Sequence, residues 1–286
     1  MTLEKSYYFK MTAEDLHGIH MEDPTAFIHF LIKLDAHLNL LENEEHLKKK
    51  LNFLVYELQA LCEDLKDEDK IHVLNEYFFA KKGFFSLTQK SPKFGDLCLH
   101  QLLINKSANS LILVILYQYL ANQINLPIYA IGLLPLHIVK WYHNDNSTYI
   151  DVHRQGKKFE HSEILQILNC NTSEQDCFEA LNIKQIFTLY LNALIDSLKS
   201  EELYSKLIVC LDLAMSMDEN NLNILQQRAI LHYKLGDFEQ AWSDFKRYFA
   251  FSELDCASEE VKLIYQKLVE MKRVENHFFP PSKILH

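Results

Sequence analysis

Glycine and proline are scarce in this sequence, six of each in 286 residues. A chain so poor in the residues that punctuate a backbone favours helices joined by short turns over a β-rich fold. The six cysteines, Cys62, Cys98, Cys170, Cys177, Cys210 and Cys256, form no CxxC pair. That absence removes support for a zinc ribbon or a dithiol redox motif. Scattered through apolar, mostly helical contexts, they read as reduced, buried thiols of a cytosolic protein. Long apolar runs are missing too: the longest, Leu111 to Leu116, falls far short of the ~20 residues of a membrane span. The opening MTLEKSYYFKMTAEDLHG has no apolar stretch of the kind a secretory signal needs. Positive charge is in deficit, 29 Lys and Arg against 39 Asp and Glu, for a net charge of −10. That balance argues against a nucleic-acid surface, which needs a concentrated basic excess. Lys48, Lys49 and Lys50 follow Glu44 and Glu45 and read as a solvated helix face, so no local basic patch is expected.

What remains is ordinary globular composition, 48% hydrophobic and 24% charged, enough for one large or two modest domains. Asp23-Pro24 supplies a helix start, Asp as N-cap and Pro at the first helical position. Phe27, Phe30, Leu31, Leu34, Leu38 and Leu41 then recur at helical spacing. Further helices are predicted from Glu44 to Leu65, from Asp69 to Lys82 with Gly83 as stop, and from Asp96 to Asn105.

The stretch from Ser110 to His153 carries the most chemistry. An apolar helix from Ser110 to Ile124, with Ser110 as its expected cap, leads into a short strand, LPIYAIGLL. The period then changes: IVKWYH alternates as a strand, and Asn144-Asp145-Asn146-Ser147 is turn chemistry between two β-rich arms. One arm carries His137 and the other Asp151. With the turn centred near Asp145-Asn146, His137 lies across from about His153 and diagonal to Asp151, within side-chain reach. A register slip of one residue would separate the pair onto opposite faces. An imidazole and a carboxylate on neighbouring strands beside a helix start is the layout of thiol proteases and transglutaminases, yet the helix start offers Ser110 in place of a thiol.

From about Ser162 the sequence is helical again. RAILHYKLGDFEQAWSDFKRYFAF pairs two amphipathic helices through Leu235-Gly236-Asp237, with Ala229, Gly236, Ala241 and Phe245 at the positions that allow a close crossing. The pattern resembles a tetratricopeptide repeat. Leu203 to Ala214 would be the second helix of a degenerate upstream repeat, and Glu259 to Arg273 a capping helix. So few repeats cannot stand alone, and this region is expected to dock on a core.

LNEYFF followed by Gly83, then ILYQYLANQINLP, PLHIVKW, YIDVH and the C-terminal repeat together resemble the bacterial SirB-type proteins, collinearly from about Asp15 to Arg273. The resemblance implies an α+β, mostly helical fold: a papain/transglutaminase-like core with a small antiparallel sheet, followed by helical-hairpin repeats. Residues 1–160 would form the core with its N-terminal helices, and 161–286 the tetratricopeptide-like region docked on it. His137 and Asp151 fall on the family's His and Asp, and the nucleophile position of active transglutaminases falls near Ser110. The chain departs from the family at Asn105-Lys106-Ser107-Ala108, where an Arg-rich turn and a Gly are usual, and at Leu136 in place of a Gly.

Each candidate also has a plainer reading. Ser110 is a vestigial nucleophile or simply a cap, because a helix N-terminus aids a thiolate far more than an alkoxide. His137 is a base oriented by Asp151 or a buried strand histidine, with His153 as a competing partner. Cys98, near His100 in DLCLH, is a nucleophile or a core thiol; Asn75 and Glu76 face a cleft or cover a helix. His17 and His20 have metal-like spacing without a third ligand nearby, so no metal and no cofactor is expected. The sequence thus predicts a cytoplasmic protein that is non-catalytic or a degenerate transglutaminase-like enzyme. It would bind a protein or peptide partner through its repeats or its vestigial cleft, and neither nucleic acid nor membrane. The alternative is an amide hydrolase or acyl transferase using His137 and Asp151 with a hydroxyl or thiol nucleophile.

Overall fold

The computed structural model describes residues 23–39, 44–87, 91–132, 138–143, 146–168 and 178–278. His17, His20, His137, Cys170, Cys177 and the Asn144-Asp145 turn lie outside the described residues.

Contacts divide the chain into two compact units, one spanning His17–Glu201 and the other containing Glu202–His286. The first opens with α1 (Pro24–Asn39) and α2 (Glu44–Leu61). Asp23 caps α1 as its sequence predicts, its carboxylate accepting from the Thr25 N–H at 2.8 Å. The helix then buries Phe27, Phe30, Leu31, Leu34 and Leu38. α2 is shorter than its periodicity suggests, because Asp64 turns left-handed at φ 58. α3 (Asp67–Asn75) passes without a break into a π-helical segment, Glu76–Lys81. Gly83, at φ 70, is the stop.

Two short strands, β1 (Phe85–Ser86) and β2 (Ser107–Ala108), pair in parallel and flank a 3₁₀ turn (Phe94–Leu97) and α4 (Leu99–Asn105). α5 (Ser110–Gln123) is buried on nearly every side, with Leu111 through Ala121 all enclosed. Such an all-round apolar helix belongs in the middle of a core. It packs against α1, α2 and the strands β3 (Ile128–Ala130) and β4 (Ile138–His143).

β3 and β4 continue with β5 (Asn146–Asp151) and β6 (Lys157–Phe159) into one antiparallel sheet of order 3-4-5-6. The fourth strand is not visible in the sequence periodicity. Alternation gives the sheet two buried faces. Ile138, Tyr149 and Phe159 pack with Ile131, Phe178 and Ile164 of α6 (His161–Leu168), while Ile128, Val139, Trp141 and Ile150 are buried on the other side. The outer edge of β3 is closed by a side chain: the Ala130 N–H donates to Gln118 Oε1 of α5 at 3.0 Å. An edge strand so covered cannot template further pairing. α7 (Ile183–Ser200), capped by Asn182, completes the unit with Phe187 between Phe27 and Phe30 of α1.

The second unit is helical throughout its described residues: α8 (Tyr204–Met217), α9 (Leu222–Leu235), α10 (Phe238–Phe249) and α11 (Glu259–Phe278). Gly236, left-handed at φ 80, ends α9, and the Asp237 carboxylate caps α10. Ala229, Ala241 and Phe245 are fully buried where the two helices cross, and Val261, Ile264 and Leu268 of α11 close the same cluster. Arg228 is the polar pin of this unit. Its guanidinium holds buried Asp244 with two bonds of 2.8 and 2.7 Å and Asp212 with a third of 2.9 Å.

Lys48, Lys49 and Lys50 lie on a solvent-accessible face of α2, as expected, and Lys49 and Lys50 also line a cavity with Lys82 and Lys106 from distant parts of the chain. The sequence could not show this patch, since its members are spread over more than fifty residues.

Candidate functional site

The start of α5 carries Ser110, one of the candidate site residues. Its cap is Asn109, not Ser110. Asn109 has extended backbone (φ −61, ψ 148), and its side chain accepts from the Leu111 N–H at 3.0 Å. Asn is at least as good a cap as Ser, and Ser110 moves to the first helical position. The Asn109 N–H donates to the Asp96 carbonyl at 2.8 Å, and the Ile112 N–H reaches the Asn109 carbonyl at 3.1 Å. A helix start leaves four donors open; here the cap and the neighbouring turn occupy those of Asn109, Leu111 and Ile112. Little remains to stabilise a thiolate or an oxyanion. Ser110 itself is half-buried, and its hydroxyl makes no hydrogen bond among the described residues.

Asp151 ends β5 and is 3% exposed. The register pairs it with Ile138, and the strands turn between His143 and Asn146, one position earlier than the turn residues suggested. Asp151 therefore shares a face with Ile138, Tyr149 and Phe159, the face that packs α6. Its partners lie in the following turn: Oδ1 accepts from the Arg154 N–H at 3.0 Å, the Arg154 Nε stands 3.6 Å from Oδ2, and its carbonyl accepts from the Gly156 N–H at 2.9 Å. This is a carboxylate closing the loop between β5 and β6 by a local side-chain bond. His153 is half-buried in the same turn.

Asn75 holds this turn to the helix layer. Its Oδ1 accepts from the Tyr117 hydroxyl of α5 at 2.8 Å, and its Nδ2 reaches the Gly156 carbonyl at 3.4 Å. Gly156 is left-handed at φ 78, and a Cβ there would stand 2.7 Å from the Asn75 Cγ and 2.8 Å from Phe79. Asn75 is thus a structural bridge between α3, α5 and the sheet, and burial pushes the Tyr117 phenol well above its usual range. Glu76, its neighbour, is exposed.

Cys98 belongs to a second polar group, in which Asp35, Cys98 and His100 are buried and Asn39 is half-buried. The Asp35 carboxylate of α1 accepts from the His100 N–H at 2.6 Å, from His100 Nδ1 at 2.9 Å and from Asn39 Nδ2 at 2.6 Å. Asn39 Nδ2 also stands 3.5 Å from Cys98 Sγ, which donates to the Phe94 carbonyl at 3.2 Å. The ligand atoms of Asp35, Cys98 and His100 lie within 4.8 Å of one another, a spacing one divalent ion could bridge. They also close on each other by hydrogen bonds, as buried polar groups must. Sequence reasoning singled out Cys98 and His100 but missed Asp35 and Asn39. These lie one turn apart on α1, and a buried Asp inside an apolar helix was the signal available.

A family model for the transglutaminase-like superfamily matches residues 45–192, just over half of the chain. The chain belongs to the transglutaminase-like superfamily. Neither a curated protein nor a solved structure gives a significant match. In this transglutaminase-like chain the match begins in α2 and ends in α7, so it takes in α5, the whole four-stranded sheet, Ser110 and Asp151. The Asp35–Asn39 half of the buried polar group lies outside it. Among the described residues no helix is long and apolar enough to cross a membrane.

Proposed function

We propose that this is a degenerate, non-catalytic transglutaminase-like protein that binds a protein or peptide partner, in the manner of the SirB-type proteins it resembles. The observation that supports it is the start of α5. There Asn109 and Ser110 stand where a catalytic thiol would be needed, and three of the four terminal donors are already engaged. A serine hydroxyl without a base at ~2.6–3.2 Å is a poor nucleophile. The paired helices of the second unit, read as tetratricopeptide-like, would supply a partner surface, since such hairpins present concave grooves to peptides.

The second reading is an amide hydrolase or acyl transferase in which Asp151 orients His137. Burial of Asp151 at the position the family resemblance assigns to its acid favours it. The pairing of Asp151 with Ile138, one register step from the pairing this reading needs, weighs against it. Two measurements separate the readings. The folded protein is treated with serine- and thiol-directed acylating probes, and sites are mapped by mass spectrometry. The binding reading expects no labelling of Ser110, and labelling abolished by His137→Ala would replace it with the enzyme. Peptides selected from a displayed library are then titrated by fluorescence anisotropy. Saturable binding that disappears in a chain ending at residue 201 supports recognition by the helical pairs. A library that yields no saturable binder counts against it.

A further inference from the structure

An open cavity of about 580 Å³ lies among α2, the end of the π-helical segment and the end of α4, lined by Lys49, Lys50, Phe53, Lys82, Ile104 and Lys106. Four lysines from three separate elements line it, in a chain whose net charge is −10. Glu57 pairs with Lys82 and is the acid that answers this group; Lys49 and Lys50 form no ion pair among the described residues. The Lys106 Nζ donates to the Leu103 carbonyl at 3.0 Å and lies 4.9 Å from the centre of the Phe84 ring. Burial and the nearby charges of Lys50 and Lys82 both lower its affinity for a proton. Four like charges answered by a single paired acid raise the local potential, and an arriving anion lowers it.

The backbone adds an independent observation. Lys106 ends α4 in the left-handed region at φ 65. That position disfavours any residue with a Cβ and is commonly filled by Gly or Asn. A lysine there works against local stability, and strain of this kind collects at binding sites. The walls complete the site: Phe53 is 58% and Ile104 54% exposed, an apolar surface next to the charges. A cavity of this volume has the size of small-ligand pockets, which combine apolar walls with a few convergent polar groups.

We propose that this cavity binds a small organic polyanion. A phosphate or diphosphate group would be held by Lys50, Lys82 and Lys106, and an aromatic or aliphatic body would lie on Phe53 and Ile104. Ammonium groups serve as compact point charges for phosphate oxygens. The acidity of the whole chain works against a long nucleic acid, which would have to run beyond the patch.

The test is calorimetric titration of the full chain, at low ionic strength, with ATP, an alkyl diphosphate and inorganic pyrophosphate. ATP and the alkyl diphosphate distinguish an aromatic from an aliphatic body. At least one of them is expected to bind about tenfold more tightly than pyrophosphate, and more weakly as salt rises. Lys50→Ala and Lys106→Gly should each weaken that binding about tenfold or more. Lys106→Gly relieves the left-handed backbone, so its thermal midpoint should stay level or rise while affinity falls. That combination separates loss of a ligand contact from loss of the fold. No heat from any of the three ligands up to millimolar concentration overturns the proposal, as does binding unchanged in both variants. Pyrophosphate binding as tightly as the other two overturns the role given to Phe53 and Ile104.

Discussion

At the scale of single residues, the polar groups that matter most here are those whose partners come from distant elements. Gly156 is the sharpest case. Its φ of 78 and the close approach of Asn75 and Phe79 leave no room for a methyl group. Gly156→Ala should therefore lose on the order of 2–4 kcal/mol, from the positive φ together with overpacking, as read by urea denaturation. Gly83→Ala, with open space around its Cβ, should lose only about 1 kcal/mol. Asp244 makes the complementary case. Removing it leaves the Arg228 guanidinium, 16% exposed, with Asp212 alone. Asp244→Ala should cost about 3 kcal/mol, near the lower end for breaking a buried pair because Asp212 still answers part of the charge. Replacing both partners by apolar residues of similar size should recover most of the loss. Neither contact was legible beforehand. A sequence displays neighbours along the chain and not across it.

At the scale of elements, local chemistry was readable wherever it acts locally. Asp23-Pro24 starts α1 as expected, Gly236 ends α9, and IVKWYH is β4 residue for residue. The misplaced cap at α5 has a simple cause: two adjacent residues, Asn109 and Ser110, both make good caps, and the extended backbone of the first decides. The hairpin register slipped for a similar reason, since four consecutive turn-forming residues allow several two-residue turns and parity alone cannot choose. α9 carries a pH response. Burial lowers the pKa of His232, against the opposing pull of Asp244, Asp237 and Asp212 and with Arg228 reinforcing it. A histidine with a depressed folded pKa binds fewer protons folded than unfolded below its ordinary value of 6.5. Stability is then fullest above that pH and declines as pH drops through it. Denaturant midpoints compared at pH 7.5 and 5.5 should fall for the wild type, and fall less for His232→Gln. An equal decline in both would assign the response to other groups.

At the scale of the whole molecule, composition gave the class but not the division. Scarce glycine and proline pointed to helices, and the change of period after Leu126 located a small sheet. Periodicity could not show that α6 and α7, helical like everything after them, belong by their contacts with the unit that contains the sheet. Ile164 buries itself with Ile138 and Tyr149, and Phe187 with Phe27 and Phe30; such pairings become visible only once the chain is folded. The family match, residues 45–192, also lies wholly inside His17–Glu201. That unit encloses its own core, running from Ile28 of α1 through α5 to Leu198 of α7, all fully buried. A core of that extent is what lets a domain fold by itself. A chain ending at residue 201 should accordingly remain folded. Its near-ultraviolet circular dichroism would keep the signals of Trp141 and the enclosed tyrosines, and it would unfold in a single cooperative step. Loss of near-ultraviolet signal with far-ultraviolet helicity retained would mean a molten state, and would show that the first unit depends on the helices that follow it.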